Sequence, residues 1–347
     1  MLKIGIIGCG KITEVRHAPE YSENPNCEIT ALFDFIPERA QKIAAQYGGT
    51  VYDSIEALLA SDVDAVSVCV ANNAHASVSI QALQAGKHVL CEKPMATTAE
   101  DCRAMVEAAE KAGKYLMIGL NQRFAKAHAK AKELLEAGEI GRLITFETNF
   151  CHPGPEGWTG QRNSWFFDKK TAAFGAMADL GVHKTDMIHY ITGLKVDSVI
   201  ANITTLDKTF PDGSPITVDD NAFCIYEMEN GVVGTMHVGW TNYGEEDNST
   251  ILSGTKGKMR LYDDPNYSLI IEKRDGTKTF YQLDQLTSNK DQTSGARTST
   301  GVIDAFVESI VEEKTPVASG ESALHAMMVI FAAEKSSEAK AAVKVEQ

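Results

Sequence analysis

Residues 2–13 read LKIGIIGCGKIT, an apolar run that ends in two glycines and then in residues fit to open a helix. A strand covered on both faces has this near-continuous apolar character. Gly8 and Gly10, directly after it, stand where a dinucleotide-binding loop requires them. The first glycine permits the tight turn, and the second lets the backbone approach a pyrophosphate. The helix N-terminus then offers unpaired N–H groups and a partial positive charge. Lys11 and Ile12 are the remaining candidate cofactor contacts of the loop. Thr13 occupies the third fingerprint position in place of Gly or Ala, which predicts a helix slightly farther from the strand than usual.

Working outward, the same grammar repeats. Apolar runs at 4–7, 29–33, 65–70, 88–91 and 115–120 alternate with amphipathic helical segments. One helix opens at Pro37, places Ala40, Ile43, Ala44 and Tyr47 at helical spacing, and closes at Gly48 in the left-handed position. Another opens with Thr97 and Glu100 in capping-box spacing and closes near Gly113. Such units predict an α/β fold: an N-terminal Rossmann domain, a doubly wound parallel sheet, over residues 1–123.

After about residue 124 the pattern changes. A helix at 125–137, a strand at 143–150, an irregular stretch and a helix near 177–190 precede alternating strands from 196 to 283. Asn230–Gly231 and Asp275–Gly276 predict hairpin turns of the primed type. Met236, Val238 and Trp240 share one face of a strand, which predicts an apolar sheet face against helices. Helices at 301–314 and 321–342 close the chain. Residues 124–347 are therefore expected to form a C-terminal α+β domain with a large, mainly antiparallel open sheet, for substrate binding and oligomerisation. Its last helix could pack back on the Rossmann domain. The two halves are expected to pack together around a cleft.

The bulk numbers exclude other classes. At 347 residues two domains are the default. The formal net charge of −14, without a long basic run, argues against nucleic-acid and anionic-membrane partners. The start at Met1 lacks a secretory n-region, and no run is long enough to span a membrane, so a soluble cytoplasmic protein is expected. The 7 cysteines are scattered singly and read as reduced, buried small hydrophobes.

Residues that carry chemistry gather at strand ends. Asp34, after the second apolar run, is placed to accept hydrogen bonds from an adenosine ribose, or merely to cap the helix at Pro37. The ribose reading repels a 2′-phosphate and favours NAD over NADP. HVLCEKPM puts Glu92 and Lys93 at another strand end, and VANNAH supplies Val70, Asn72 and His75; His75 could equally be a satisfied helix-start residue. MADLGVHKTDMIHY, residues 177–190, sets Asp179 and His183 four positions apart, on one face of an α-helix. Leu180, Met187 and Ile191 read as its buried stripe, with Asp186 on the flank beside Asp179 and His183. Gly181 suggests that something approaches the backbone closely. The Asp-x-x-x-His pair offers only two metal ligands, so no metal is expected.

The first-strand glycines, V-A-N-N-A-H, A-G-K-H-V-L-C-E-K-P, G-L-N-Q-R-F at 119–124 and G-A-M-A-D-L-G-V-H together resemble the Gfo/Idh/MocA family of oxidoreductases, in order and over nearly the whole chain. The resemblance implies a nicotinamide-dependent enzyme acting on a ring hydroxyl or ketone of a sugar, sugar derivative or cyclitol. It carries Lys93, Asp179 and His183 over as reacting groups and implies a homodimer or homotetramer assembled through the C-terminal sheet. Ala71 replaces the family's usual proline, which leaves the path of that loop open.

Chemistry assigns the roles. Oxidising a secondary alcohol requires a base with a pKa near working pH, which suits His183. Lys93 would stabilise developing alkoxide character, and Asp179 would position substrate or imidazole. Asn121 and Arg123 are the expected substrate contacts after the last parallel strand, Asn121 serving the cofactor as well. The stretch HPGPEGWTGQRNSWFF adds His152, Arg162, and Trp158 or Trp165 for stacking on a sugar face, each of which could instead be loop anchoring. Two other readings remain: a glycosidase that uses bound NAD for transient oxidation and elimination, and a non-catalytic sugar-sensing regulator.

Overall fold

Strands come first, because the apolar runs of the N-terminal third have no polar face to leave in water. In the computed structural model, which describes residues 1–160, 164–286 and 300–346, they are β1 (Leu2–Ile7), β2 (Cys27–Phe33), β3 (Thr50–Val51), β4 (Ala65–Val68), β5 (His88–Cys91) and β6 (Leu116–Ile118). All pair in parallel, in the order β3-β2-β1-β4-β5-β6. The order reverses between β1 and β4, the switch point at which such sheets bind ligands beyond their strand ends. The two-residue β3 escaped the sequence reading, being too short to carry a periodicity.

The predicted helix ends hold with two adjustments. Pro37–Tyr47 is helical, and Gly48 takes a positive φ of 84°, with ψ −170° outside the left-handed helical region. The cap of the helix Ala99–Ala112 is Thr98, which accepts from the Asp101 N–H, one residue beyond the Thr97 and Glu100 expected. Gly113 closes it in the left-handed region.

The chain divides into two units. One comprises Met1–Asn121 with the described part of Lys290–Leu324, and the other the described parts of Gln122–Asn289 and His325–Gln347. The sequence reading set one boundary at 123 and let the last helix return; here the returning part is the described portion of Lys290–Leu324, and the last helix, Gly320–Ala339, falls mostly in the second unit. Within the first unit Glu20 accepts from the Thr300 N–H at 3.0 Å, the Asn24 side-chain amide donates to Asp304 at 2.7 Å, and the Ile118 N–H donates to the Ala318 carbonyl.

The second unit is built on β7 (Leu143–Cys151), β8 (Val196–Thr204), β9 (Asn221–Met228), β10 (Val233–Gly239), β11 (Thr250–Gly254), β12 (Gly257–Leu261), β13 (Leu269–Lys273), β14 (Lys278–Tyr281) and β15 (Val343–Lys344). They form one sheet in the order β14-β13-β12-β11-β7-β10-β9-β8-β15, antiparallel except where β10 lies parallel to β7. Its hairpins are not primed. Gly231 and Gly276 have positive φ, but Asn230 and Asp275 do not, and the Gly231 and Gly276 N–H groups bond back to Met228 and Lys273. These are three-residue loops closed by a glycine bulge, and the Asn230 and Asp275 side chains accept the N–H two residues on.

On β9 the alternation is regular. Ala222, Cys224, Tyr226 and Met228 are buried, while Phe223 and Ile225 on the other face are 44% and 47% exposed. The helix Val182–Thr192 packs on the buried face, with the Thr185 hydroxyl 2.9 Å from that of Tyr226. It is not the amphipathic helix its wheel suggested. Val182 through Ile188 are all buried, because the helix Lys126–Glu136 packs against it as well. Gly181 finds its reason here too: a Cβ would stand 3.1 Å from the Met177 sulfur and 3.2 Å from Met236 on β10. The close approach is by the sheet.

Candidate active site

Phosphate-loop geometry begins with Gly8, at φ 95°, where a Cβ would stand 2.4 Å from the Cys69 carbonyl oxygen. Only glycine fits there. A Cβ on Gly10 would meet nothing within 4 Å, so this face of the loop is open where a pyrophosphate must approach. Thr13 leaves no gap: it is fully buried and its hydroxyl donates to the Gly8 carbonyl at 2.6 Å. Lys11 is exposed and Ile12 half-buried beside it. The Asp34 carboxylate accepts from the Cys9 N–H at 2.7 Å and the Ile36 N–H at 2.8 Å, which ties loop to strand end. A carboxylate has about four acceptor positions, so these two bonds leave capacity for ribose hydroxyls. The loop therefore fits a dinucleotide.

Ala71 answers the question of the missing proline. Its φ of −72° and ψ of 152° are values a proline would adopt, so the loop path needs no ring. Asn72 is buried in the short turn Asn72–Ala74 that follows. His75 is buried, with Nδ1 2.7 Å from the Pro94 carbonyl and Nε2 3.2 Å from that of Val70. Burial holds the ring below its usual pKa, so it is neutral at pH 7 and carries one proton. The shorter contact assigns that proton to Nδ1. His75 thus braces the Glu92–Lys93–Pro94 turn rather than presenting its ring to a ligand.

Glu92 also turns inward. Its carboxylate lies 2.9 Å from His17 Nε2 and 3.9 Å from Arg16 Nη1, and accepts the Lys93 N–H at 3.2 Å. Gly119 packs closely beside it, since a Cβ there would stand 3.1 Å from the carboxylate. Burial would raise Glu92, but His17, Arg16 and Lys93 hold it down at about 2. Burial opposes charge on His17, and Cys69 and Glu92 outweigh it, so that ring stays well above its ordinary value. Lys93 is half-buried next to this pair, and Asn121 ends the unit in a short helical turn.

The second unit supplies the other groups. Met177–Gly181 is a wide, π-type helical turn, a form often found at functional sites, and the regular helix starts only at Val182. Asp179 and His183 therefore do not stack as an ideal i, i+4 pair. Asp179 is half-buried and accepts from the Trp240 indole N–H at 3.2 Å. His183 is buried with its ring 6.3 Å from that of Phe150, which in turn stands edge-on to His152 at 5.7 Å. His152 Nδ1 accepts from the Gly154 N–H at 2.9 Å, so its neutral form carries the proton on Nε2. Trp165 is 36% exposed and stacks on Phe166 at 4.0 Å.

Arg123 has a task other than the one expected. It is buried and engages Asp186 with two nitrogens, Nε at 2.7 Å and Nη2 closer, so its fork serves the protein. Asp186 is consequently a partner within the fold rather than a cleft residue. Arg162 and the Trp158 side chain lie outside the described residues.

Sequence reasoning passed over four participants. His17, Trp240 and Asp219 carry no motif of their own and act through distant contacts. Lys184 is fully buried, donates to the Asn248 carbonyl at 3.0 Å, and is pushed down to about 7 by burial. A lysine within a helical pattern gives no warning of this. One grouping is inert: Cys151 Sγ lies 3.5 Å from His237 Nδ1 and Asn221 Oδ1 3.3 Å from His237 Nε2, but burial pushes the thiol up to about 12. Among the described residues, no three His, Cys, Asp or Glu side chains are grouped to hold a metal.

A family model described as an oxidoreductase family with an NAD-binding Rossmann fold matches residues 2–120, and the GFO/IDH/MocA C-terminal domain matches 128–260. D-glucoside 3-dehydrogenase of Escherichia coli is 34% identical over 242 residues, 66% of this chain and 68% of that protein. Myo-inositol 2-dehydrogenase of Thermotoga maritima is 26% identical over 350 residues, 100% of this chain and 99% of its own. The solved structure of a levoglucosan dehydrogenase in complex with NADH and levoglucosan has the same fold, with a TM-score of 0.84 over 100% of both chains at 23% identity. With both domains matched in order, the chain belongs to the Gfo/Idh/MocA family of NAD-binding sugar and cyclitol oxidoreductases.

Proposed function

We propose that this oxidoreductase passes a hydride between nicotinamide and a ring secondary hydroxyl or ketone of a sugar, sugar derivative or cyclitol. His183 takes the hydroxyl proton, Lys93 stabilises the alkoxide, and Asp179 orients substrate. The observation that carries the reading is the Asp179 carboxylate fixed by the Trp240 indole at the start of the helix that bears His183. Bound nicotinamide supplies the hydride acceptor or donor. The chain supplies an imidazole base, a cation and aromatic rings, Phe150 beside His183 and Trp165 stacked on Phe166. His152 and Asn121 are the further polar contacts proposed for the substrate. NAD is preferred over NADP through Asp34.

The test is a panel of inositols, aldoses, uronates and glycosides with NAD, read as NADH absorbance. Oxidation of at least one ring polyol is expected. Glycoside cleavage without net NADH would replace this reading by transient oxidation and elimination; binding without either reaction would make the protein a sensor.

The outer face of the large sheet presents Ile200, Phe223, Ile225 and Val233, each at least 44% exposed. Such a face favours a homodimer or homotetramer joined through it. A monomeric mass by light scattering at micromolar concentration would reject the assembly.

A further inference from the structure

We propose that Trp240 and Asp219 are positioning residues for Asp179, one holding its carboxylate and the other the backbone from which it projects. The inference rests on the reading of Asp179 as part of the reaction site. The wide turn Met177–Gly181 begins in a buried place, since Gly175, Ala176 and Met177 are all buried. The opening N–H groups of a helix have no partner within it, and burial makes that costly. Asp219 satisfies three in succession: its carboxylate accepts from Gly175 at 2.8 Å and Met177 at 2.7 Å, and its backbone carbonyl from Ala176 at 3.0 Å. The fit is so close that a Cβ on Gly175 would stand 1.7 Å from the Asp219 carbonyl oxygen. The Asp179 N–H then donates to the Gly175 carbonyl at 3.0 Å, so the position of Asp179 follows from this cap.

From the other side comes Trp240, fully buried, with its ring 6.1 Å from Phe167 and edge-on to Phe166 at 6.5 Å. Its backbone N–H donates to the Asp220 carbonyl at 2.8 Å. Adjacent residues, Asp219 and Asp220, therefore anchor both the helix start and the indole. Asp220 is itself fixed, since its carboxylate accepts the N–H groups of Leu206, Asp207 and Lys208. An indole nitrogen can only donate, so its bond to Asp179 Oδ2 orients the carboxylate. Packing alone would be served by phenylalanine.

The test uses the full chain labelled with 15N-tryptophan, which gives one indole N–H resonance for each of its 3 tryptophans. Trp240→Phe identifies its own by deletion. In the protein without cofactor or substrate, Asp179→Asn should move the Trp240 resonance more than the other two; equal or absent shifts would overturn the hold on the carboxylate. Asp219→Asn should perturb the same resonance through the shared anchor, and no change there together with unchanged kcat/KM would remove Asp219 from the proposal. On a verified substrate, Trp240→Phe should lower kcat/KM by roughly 10-fold through loss of a charge-assisted bond, with little further loss when combined with Asp179→Asn. Full additivity of the two losses would mean that Trp240 acts elsewhere. Resonance shifts in a protein that oxidises no sugar would leave the hold standing and fell the proposed activity instead.

Discussion

Lys93 and Asp179 are held by different polar chemistry. In the first unit the anchor is ionic: Glu92 sits buried between His17 and Arg16 and takes the Lys93 N–H as well. In the second, a neutral indole donates to Asp179, and a single carboxylate, Asp219, accepts the N–H groups that open its helix. The difference teaches how each unit answers to pH and truncation. A buried ion pair is costly to break from one side, because the remaining charge is stranded. A helix cap costs less to lose, because the N–H groups left behind are neutral.

The largest effect should come from Glu92→Ala. Removing the carboxylate strands His17 and Arg16, and denaturant unfolding should lose about 3–5 kcal/mol. A loss no greater than that of a surface substitution would erase the contrast between the units. Next come the proposed reacting groups: His183→Ala and Lys93→Ala should each lower kcat by roughly 10²-fold or more, with NAD affinity nearly intact in His183→Ala. Near wild-type turnover of His183→Ala would shift the proton transfer to another group.

Asp34→Ser removes the carboxylate that repels a 2′-phosphate, and the NAD/NADP ratio of kcat/KM should fall by roughly 10-fold. An unchanged ratio would assign selectivity to other residues of the loop.

The smallest effect sharpens the comparison through pH. Glu92, lowered to about 2, contributes stability that is complete above its ordinary value of 4.5 and is lost as pH falls toward 2. His17 is raised above 6.5, so its contribution is complete below 6.5 and is lost as pH rises through the raised value. Asp219 has the opposite sign to Glu92. Burial raises it to about 6, with Asp220 adding to the rise; burial likewise raises Glu334 to about 7, with the Asp219 charge adding to it and Lys169 opposing. The native state binds the Asp219 proton more tightly than the unfolded chain, so stability from this group should grow as pH falls from about 7 toward 4. Asp219→Asn should flatten that part of the profile in urea titrations, whereas Glu92→Gln should flatten the acid limb below 4.5. Identical profiles in both variants would mean that the two anchors respond alike.

Local physics made the first unit readable. A run such as GIIGCG carries its own reasons: apolar residues demand cover, Gly8 must take a positive φ, and Pro37 and Gly113 mark ends that neighbouring residues alone decide. The same holds for the alternation along β10 and just past its end, where Met236, Val238 and Trp240 are buried as their spacing requires. Where competing local signals were nearly equal, the reading slipped by one step, as with Thr98 for Thr97 and the bulged loops at Gly231 and Gly276. The candidates for the proposed site could be named as well, because Lys93, Asp179 and His183 stand in motifs.

Their surroundings were not legible. Whether Arg123 meets substrate or Asp186, and whether Glu92 faces a cofactor or His17, depends on partners 63 and 75 positions away in the chain. The wide turn at Asp179 depends on Asp219 and on how closely Met236 approaches Gly181. The sequence by itself determined two sheets of different kinds and a dinucleotide loop, and it offered the candidates for the reacting groups, since each follows from neighbours within a few residues. Only the tertiary structure decided which polar groups spend their hydrogen bonds inside the protein. Burial and donor–acceptor matching are properties of space, and no spacing along the chain encodes them.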